Sequence, residues 1–176
     1  MYYRKFIDFL KKHGIYDKEI VDYFMANSTK FDYRIEEDRA FIGVYYVIKN
    51  NKLDKIKVVV PYLNDDKTVL INIHEYVHLY KYYNKLGKLC HIGKDKEVLP
   101  IFYEKLFVKE NPTKELINYH NNLNEFINNN EGEEYLLALR LSNELIDNYN
   151  NENMNKLNIK VKKLMFKDKI NNILTK

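Results

Sequence analysis

The residues with the clearest capacity for chemistry lie in the segment Ile71-Asn72-Ile73-His74-Glu75-Tyr76-Val77-His78-Leu79-Tyr80, which contains the pattern HExxH. On a helix, His74 and His78 stand one turn apart on the same face, so both imidazoles can reach a single metal ion. Glu75 projects from an adjoining face. From there a carboxylate can take the proton of a metal-bound water as that water attacks a carbonyl, without itself being a ligand. Random placement of this composition yields on the order of 0.01 such patterns. The positions around the motif are uncharged, and Leu70, Ile73, Val77 and Tyr80 form an apolar stripe that the two histidines flank. Two solvated histidines with no ion are the plain alternative, but packing of that stripe gives no reason for histidine at either place.

A catalytic zinc takes three protein ligands and leaves the fourth position to water. Downstream of the motif the available donors are His91, Asp95, Glu97 and Glu104, and Glu97 follows His78 with 18 residues between them. HExxH followed by 18 residues and Glu resembles the signature of the gluzincin branch of zincin metallopeptidases, the aminopeptidase-N type among them. The stretch Glu97-Val98-Leu99-Pro100-Ile101-Phe102-Tyr103-Glu104 is also similar to the Glu-bearing helix of thimet-type oligopeptidases, which has a proline soon after the ligand Glu and a second Glu seven residues on. The resemblance spans about residues 66–108. It implies that His74, His78 and Glu97 bind Zn2+, that Glu75 is the general base, and that the activity is hydrolysis of peptide bonds in an extended polypeptide.

Glu104 lies two turns beyond Glu97 on the same helix face, which makes it either a partner of a ligand histidine or the third ligand in place of Glu97. The metzincin continuation is absent, since Lys81 and Asn84 stand where glycine and histidine would be required. Large gluzincins hold the developing oxyanion with a Tyr or His well downstream. Among the sixteen tyrosines, Tyr135 at the opening of the helix EGEEYLLALRLSNELIDNY is the residue assigned here, with Tyr149, His120 and Arg140 as alternatives.

The elements that must position these groups follow from periodicity. Helices are expected over 3–13, closed by Gly14, and over 17–27, capped by Asp17. FDYRIEED (31–38) alternates like a half-buried strand, and AFIGVYYVI (40–48) with KIKVVVPYL (55–63) reads as an antiparallel hairpin. Pro61 marks an edge or a strand end, and Lys57–Val60 is the candidate segment either to pair with an extended substrate or only to cover the core. Asp65-Asp66 caps a helix over 67–86 closed by Gly87. A loop over 88–94 leads to a helix over 96–109 capped by Asp95 and ended by Asn111-Pro112, and three further helices are expected over 113–128, 132–149 and 153–174. The fold class is α+β and zincin-like: a small antiparallel sheet of about three strands, the HExxH helix, and a C-terminal helical bundle. One domain over 1–176 is expected, with helices and sheet in 1–63, metal-site helices in 66–109 and a helical subdomain in 113–174.

Composition narrows the class further. With 176 residues, 45% hydrophobic and 31% charged, the chain is globular rather than disordered, and five Gly with three Pro are too few for a turn-dense β-sandwich. The single cysteine, Cys90, excludes a disulfide framework and an all-thiolate metal site. No apolar run approaches the roughly 18 residues of a membrane span, no cleavable leader pattern opens the chain, and a cytoplasmic location is expected. The net charge of +4 is well mixed, so a polypeptide substrate is expected with no nucleic acid and no membrane partner; a protein partner and the oligomeric state stay open. The last helix, with Leu157, Val161, Leu164, Met165, Ile170 and Ile173 against Lys156, Lys160, Lys162, Lys163, Lys167 and Lys169, is basic and amphipathic; it reads as a packed helix with a solvated lysine face, with binding to a membrane surface or nucleic acid as the lesser alternative. The alternative function is a catalytically inactive zincin-like module that binds or regulates a partner.

Overall fold

The computed structural model describes residues 1–32, 42–50, 52–84, 96–130 and 132–174. The chain divides into two compact units, Met1–His91 and Ile92–Lys176, and is α+β: a three-stranded mixed sheet within the first unit, and a mostly helical second unit.

The first unit runs α1 (Tyr2–Lys12), α2 (Lys18–Asn27), β1 (Ser28–Phe31), β2 (Gly43–Lys49), β3 (Lys52–Pro61) and α3 (Asp66–Tyr83). Helix α1 stops where the sequence predicts. Gly14 takes φ +65°, and the amides of Gly14 and Ile15 return to the carbonyls of Lys11 and Leu10, a Schellman closure that favours glycine at the left-handed position. Asp17 caps α2 by accepting the Ile20 amide at 3.1 Å.

The sheet order is β1-β3-β2. The β2–β3 hairpin is antiparallel as expected, from Gly43↔Val59 to Lys49↔Lys52, with an irregularity between Val47 and Ile48. Its connection is shorter than the polar stretch suggested, and Asn50 turns it at φ 52°. Two expectations are corrected. The sheet is mixed rather than antiparallel, because β1 runs parallel to β3 from Ser28↔Val58 to Phe31↔Pro61; strand alternation is the same read in either direction and does not encode this. In addition, Lys57–Val60 is no edge. Val58 and Val59 are paired on one side by Ser28 and Thr29 and on the other by Val44 and Gly43, so at these two positions neither side is open to a substrate strand. Pro61 ends β3 as expected. Of the strand expected over 31–38, residues 33–38 lie outside the described residues.

Helix α3 begins with a capping box. Asp65 accepts the Thr68 amide at 2.7 Å, and the Thr68 hydroxyl accepts the Asp65 amide at 3.0 Å. The helix is buried almost all round, as the central element of a core must be: Val69, Leu70, Ile73, Tyr76, Val77 and Leu79 are fully inaccessible. The Asn72 amide group donates to the carbonyls of Pro61 (3.0 Å) and Thr68 (2.8 Å), which ties the helix to the end of β3. Tyr76 is the pivot. Its ring meets Phe6 and Phe24 edge-on at 5.7 Å each, its hydroxyl donates to the Ile15 carbonyl at 2.9 Å, and it accepts the Asp17 amide at 3.3 Å. Helix α3 ends at Asn84 rather than near Gly87, which lies outside the described residues, as do the loop 88–94 and Asp95.

The second unit contains α4 (Val98–Glu110), α5 (Lys114–Asn130), α6 (Glu133–Asp147) and α7 (Met154–Leu174). Helix α4 is its apolar centre, with Leu99, Ile101, Phe102, Tyr103, Leu106 and Phe107 buried, and it packs on the other three helices. Phe102 meets Tyr149 edge-on at 5.2 Å. Pro100 occupies the first turn, where a missing amide costs little. No helix among the described residues is long and apolar enough to cross a membrane.

Candidate metal centre

His74 and His78 come from the middle of α3, one turn apart on the side of the helix least covered by the core; both are half-buried, whereas their neighbours Ile73, Tyr76 and Val77 are inaccessible. Their rings turn towards each other, with Nε2 to Nε2 at 3.2 Å and centroids 5.0 Å apart. Two ligands on a tetrahedral zinc with bonds of about 2.1 Å are separated by about 3.3 Å, so the imidazole pair already has the spacing an ion needs. Glu97, the N-cap position of α4, is buried. His74, His78 and Glu97 each offer one ligand atom, and these atoms all lie within 4.8 Å of one another. Two imidazoles and a carboxylate suit zinc and related divalent ions. The donor set therefore fits a metal ion.

Glu75 sits beside the first histidine on α3 and is only 7% exposed. Its charge reaches Tyr45 of β2, whose hydroxyl is pushed above its ordinary pKa first by burial and then by that carboxylate. Tyr45 lies over Gly43, where an added Cβ would stand 3.4 Å from ring carbons and 3.5 Å from the hydroxyl. Sequence reasoning missed Tyr45. The one available signal was the spacing Gly43-x-Tyr45 on a strand, which puts the ring over a residue with no side chain.

The remaining sequence assignments fall as follows. Glu104 is buried on α4 two turns past Glu97; its charge acts on His120 of α5 and on Lys105, and the convergent group contains Glu97 instead. Tyr135 occupies the first turn of α6, half-buried. Tyr149 packs on Phe102, Arg140 is exposed, and His91 lies outside the described residues. Lys105 is half-buried, with its ammonium donating to the Leu139 carbonyl and to Asn143. Burial lowers its pKa to about 8, against the opposing pull of Glu104.

His120 gives a pH prediction for the second unit. Burial holds its imidazole below the ordinary pKa, with Glu104 opposing. The unfolded chain therefore takes up the proton first, and stability present above about pH 6.5 is lost as the pH falls through the window below it. Urea midpoints compared at neutral and mildly acidic pH should fall more in the native protein than in His120→Gln. Equal falls would remove His120 from the acid response.

No protein-family model, no curated protein and no solved structure matches the chain. What bears on function is the His74, His78 and Glu97 group itself.

Proposed function

We propose that the protein is a zinc-dependent metallopeptidase of gluzincin type, hydrolysing peptide bonds in an extended polypeptide. The observation that carries this reading is the pair of Nε2 atoms facing each other at 3.2 Å, with a Glu97 carboxylate oxygen inside the same 4.8 Å group. Zinc held there would supply Lewis acidity towards water and towards the substrate carbonyl. His74, His78 and Glu97 are the ligands. Glu75, adjacent in sequence but outside the ligand set, accepts the proton from the attacking water and passes it to the leaving amine. Its burial favours proton exchange with a bound reactant over exchange with bulk water. Tyr135 is the oxyanion donor suggested by the sequence. With Val58 and Val59 paired on both sides, a substrate strand is held elsewhere than at those two positions.

A non-catalytic module that binds a partner and uses metal only as a brace is the second reading. The near-complete burial of Glu75 favours it, since it narrows the approach of a substrate. Metal content per chain, measured by mass spectrometry on native protein and on His74→Ala prepared without a metal-binding tag, separates these readings from coincidence. About one zinc per chain, lost in the variant, is the expected result. No zinc after titration at neutral pH would remove both metal readings, and zinc without cleavage of a diverse peptide library would leave the brace.

A further inference from the structure

Helix α7 packs through Met154, Leu157, Asn158 and Val161, all buried. At about 100° per residue, Ile159 and Phe166 fall on the far side, within about 50° of the point opposite that buried face, seven residues apart and therefore stacked along one line. These two side chains are 54% and 67% exposed. Lys162 and Lys163 stand on either side of that line, and the four side chains together line a shallow, open depression. Lys156, Lys167 and Lys169 are exposed around it, while Lys160 is held by Glu152 at 2.6 Å. The helix has six lysines and one aspartate. Lys156, Lys162, Lys163, Lys167 and Lys169 are exposed as expected, and Ile159 and Phe166 add an apolar line among them.

We propose that α7 docks on an anionic lipid surface, with Ile159 and Phe166 entering the headgroup boundary and the flanking lysines meeting lipid phosphates and carboxylates. The chemistry is that of an interfacial strip: two apolar side chains that sink a few ångströms, and long cationic side chains whose stems lie beside them while their heads stay in water. The shape selects this occupant. The strip is two apolar side chains in an open depression ringed by lysines, whereas a stable protein interface needs about 800 Å² per partner. A nucleic acid would engage the lysines and leave Ile159 and Phe166 in water. The inference is independent of the metal site and needs no spanning segment.

The test is flotation of the full chain with vesicles of phosphatidylcholine alone and of phosphatidylcholine with about 30% phosphatidylserine, at near-physiological ionic strength. Binding is expected to the anionic vesicles only. Each lysine near such a surface contributes about fivefold, so Lys162→Gln combined with Lys163→Gln should weaken binding roughly twenty-fivefold. Ile159→Ser combined with Phe166→Ser should weaken it at least tenfold. All four side chains are exposed, so circular dichroism and the urea midpoint should stay unchanged. Absence of binding to anionic vesicles, binding by either double variant as tight as that of the native protein, or binding to polyglutamate or RNA without vesicle binding would each overturn the proposal.

Discussion

Replacing Glu75 by glutamine is expected to lower peptide hydrolysis by about two to four orders of magnitude while leaving about one zinc per chain. The substitution is close to isosteric, which matters for a side chain that is 7% exposed and surrounded by inaccessible residues on α3. The amide keeps the volume and a hydrogen-bonding oxygen but cannot accept a proton at neutral pH. The histidines at positions 74 and 78 are untouched, so loss of metal is not expected. The decisive comparison is turnover of a cleaved peptide and zinc content on the same preparation. A fall in turnover with metal retained fits a proton acceptor. Turnover close to native would end the role assigned to Glu75, and loss of both would show that the carboxylate supports the ligands.

The second large effect is structural. Tyr76→Ala should destabilise the first unit by about 3–5 kcal/mol, the range for deleting a large buried ring. Tyr76 is inaccessible, packs edge-on against Phe6 and Phe24, and bonds the Ile15 carbonyl and the Asp17 amide. Tyr76→Phe keeps the ring and loses the hydroxyl, for a smaller cost of about 1–3 kcal/mol because two buried backbone groups lose their partner. Urea unfolding of the three proteins gives both numbers. If the Phe and Ala variants proved equally stable, the ring would contribute little and the hydroxyl would carry the effect. Because Tyr76 stands between the two histidines, Tyr76→Ala should also weaken metal binding although no ligand is changed.

The parts of the fold that the chain announces in advance are those set by short-range chemistry. Asp17 and Asp65 read as caps because a side-chain oxygen three residues ahead of an amide is a local matter, and both cap as expected. The closure of α1 at Gly14 is local in the same way. The HExxH spacing yields convergent imidazoles because a helix places residues i and i+4 on one face whatever surrounds it. Glu97 was reached through resemblance rather than periodicity, and it proves to be the residue before α4 rather than part of its first turn. The parallel pairing of β1 was not legible, since alternation carries no direction. Tyr45 was not legible either, because its relation to Glu75 crosses from a strand to a helix thirty residues away. Ile159 and Phe166 were passed over because a search for one apolar face ignores apolar residues on the other.

The burial of Tyr76 and Val77 inside the motif has a consequence for how an ion would be received. Turning α3 by one residue about its axis would drive a histidine into the packed side and bring the Tyr76 ring into water, at a cost of several kcal/mol. The helix is thus fixed in rotation by the same five residues that carry the donors. The two imidazoles do not have to search for each other when an ion arrives. Their ordering entropy is settled when the chain folds, so the histidine half of the site should show fast association and little change in backbone dynamics between the empty and loaded states.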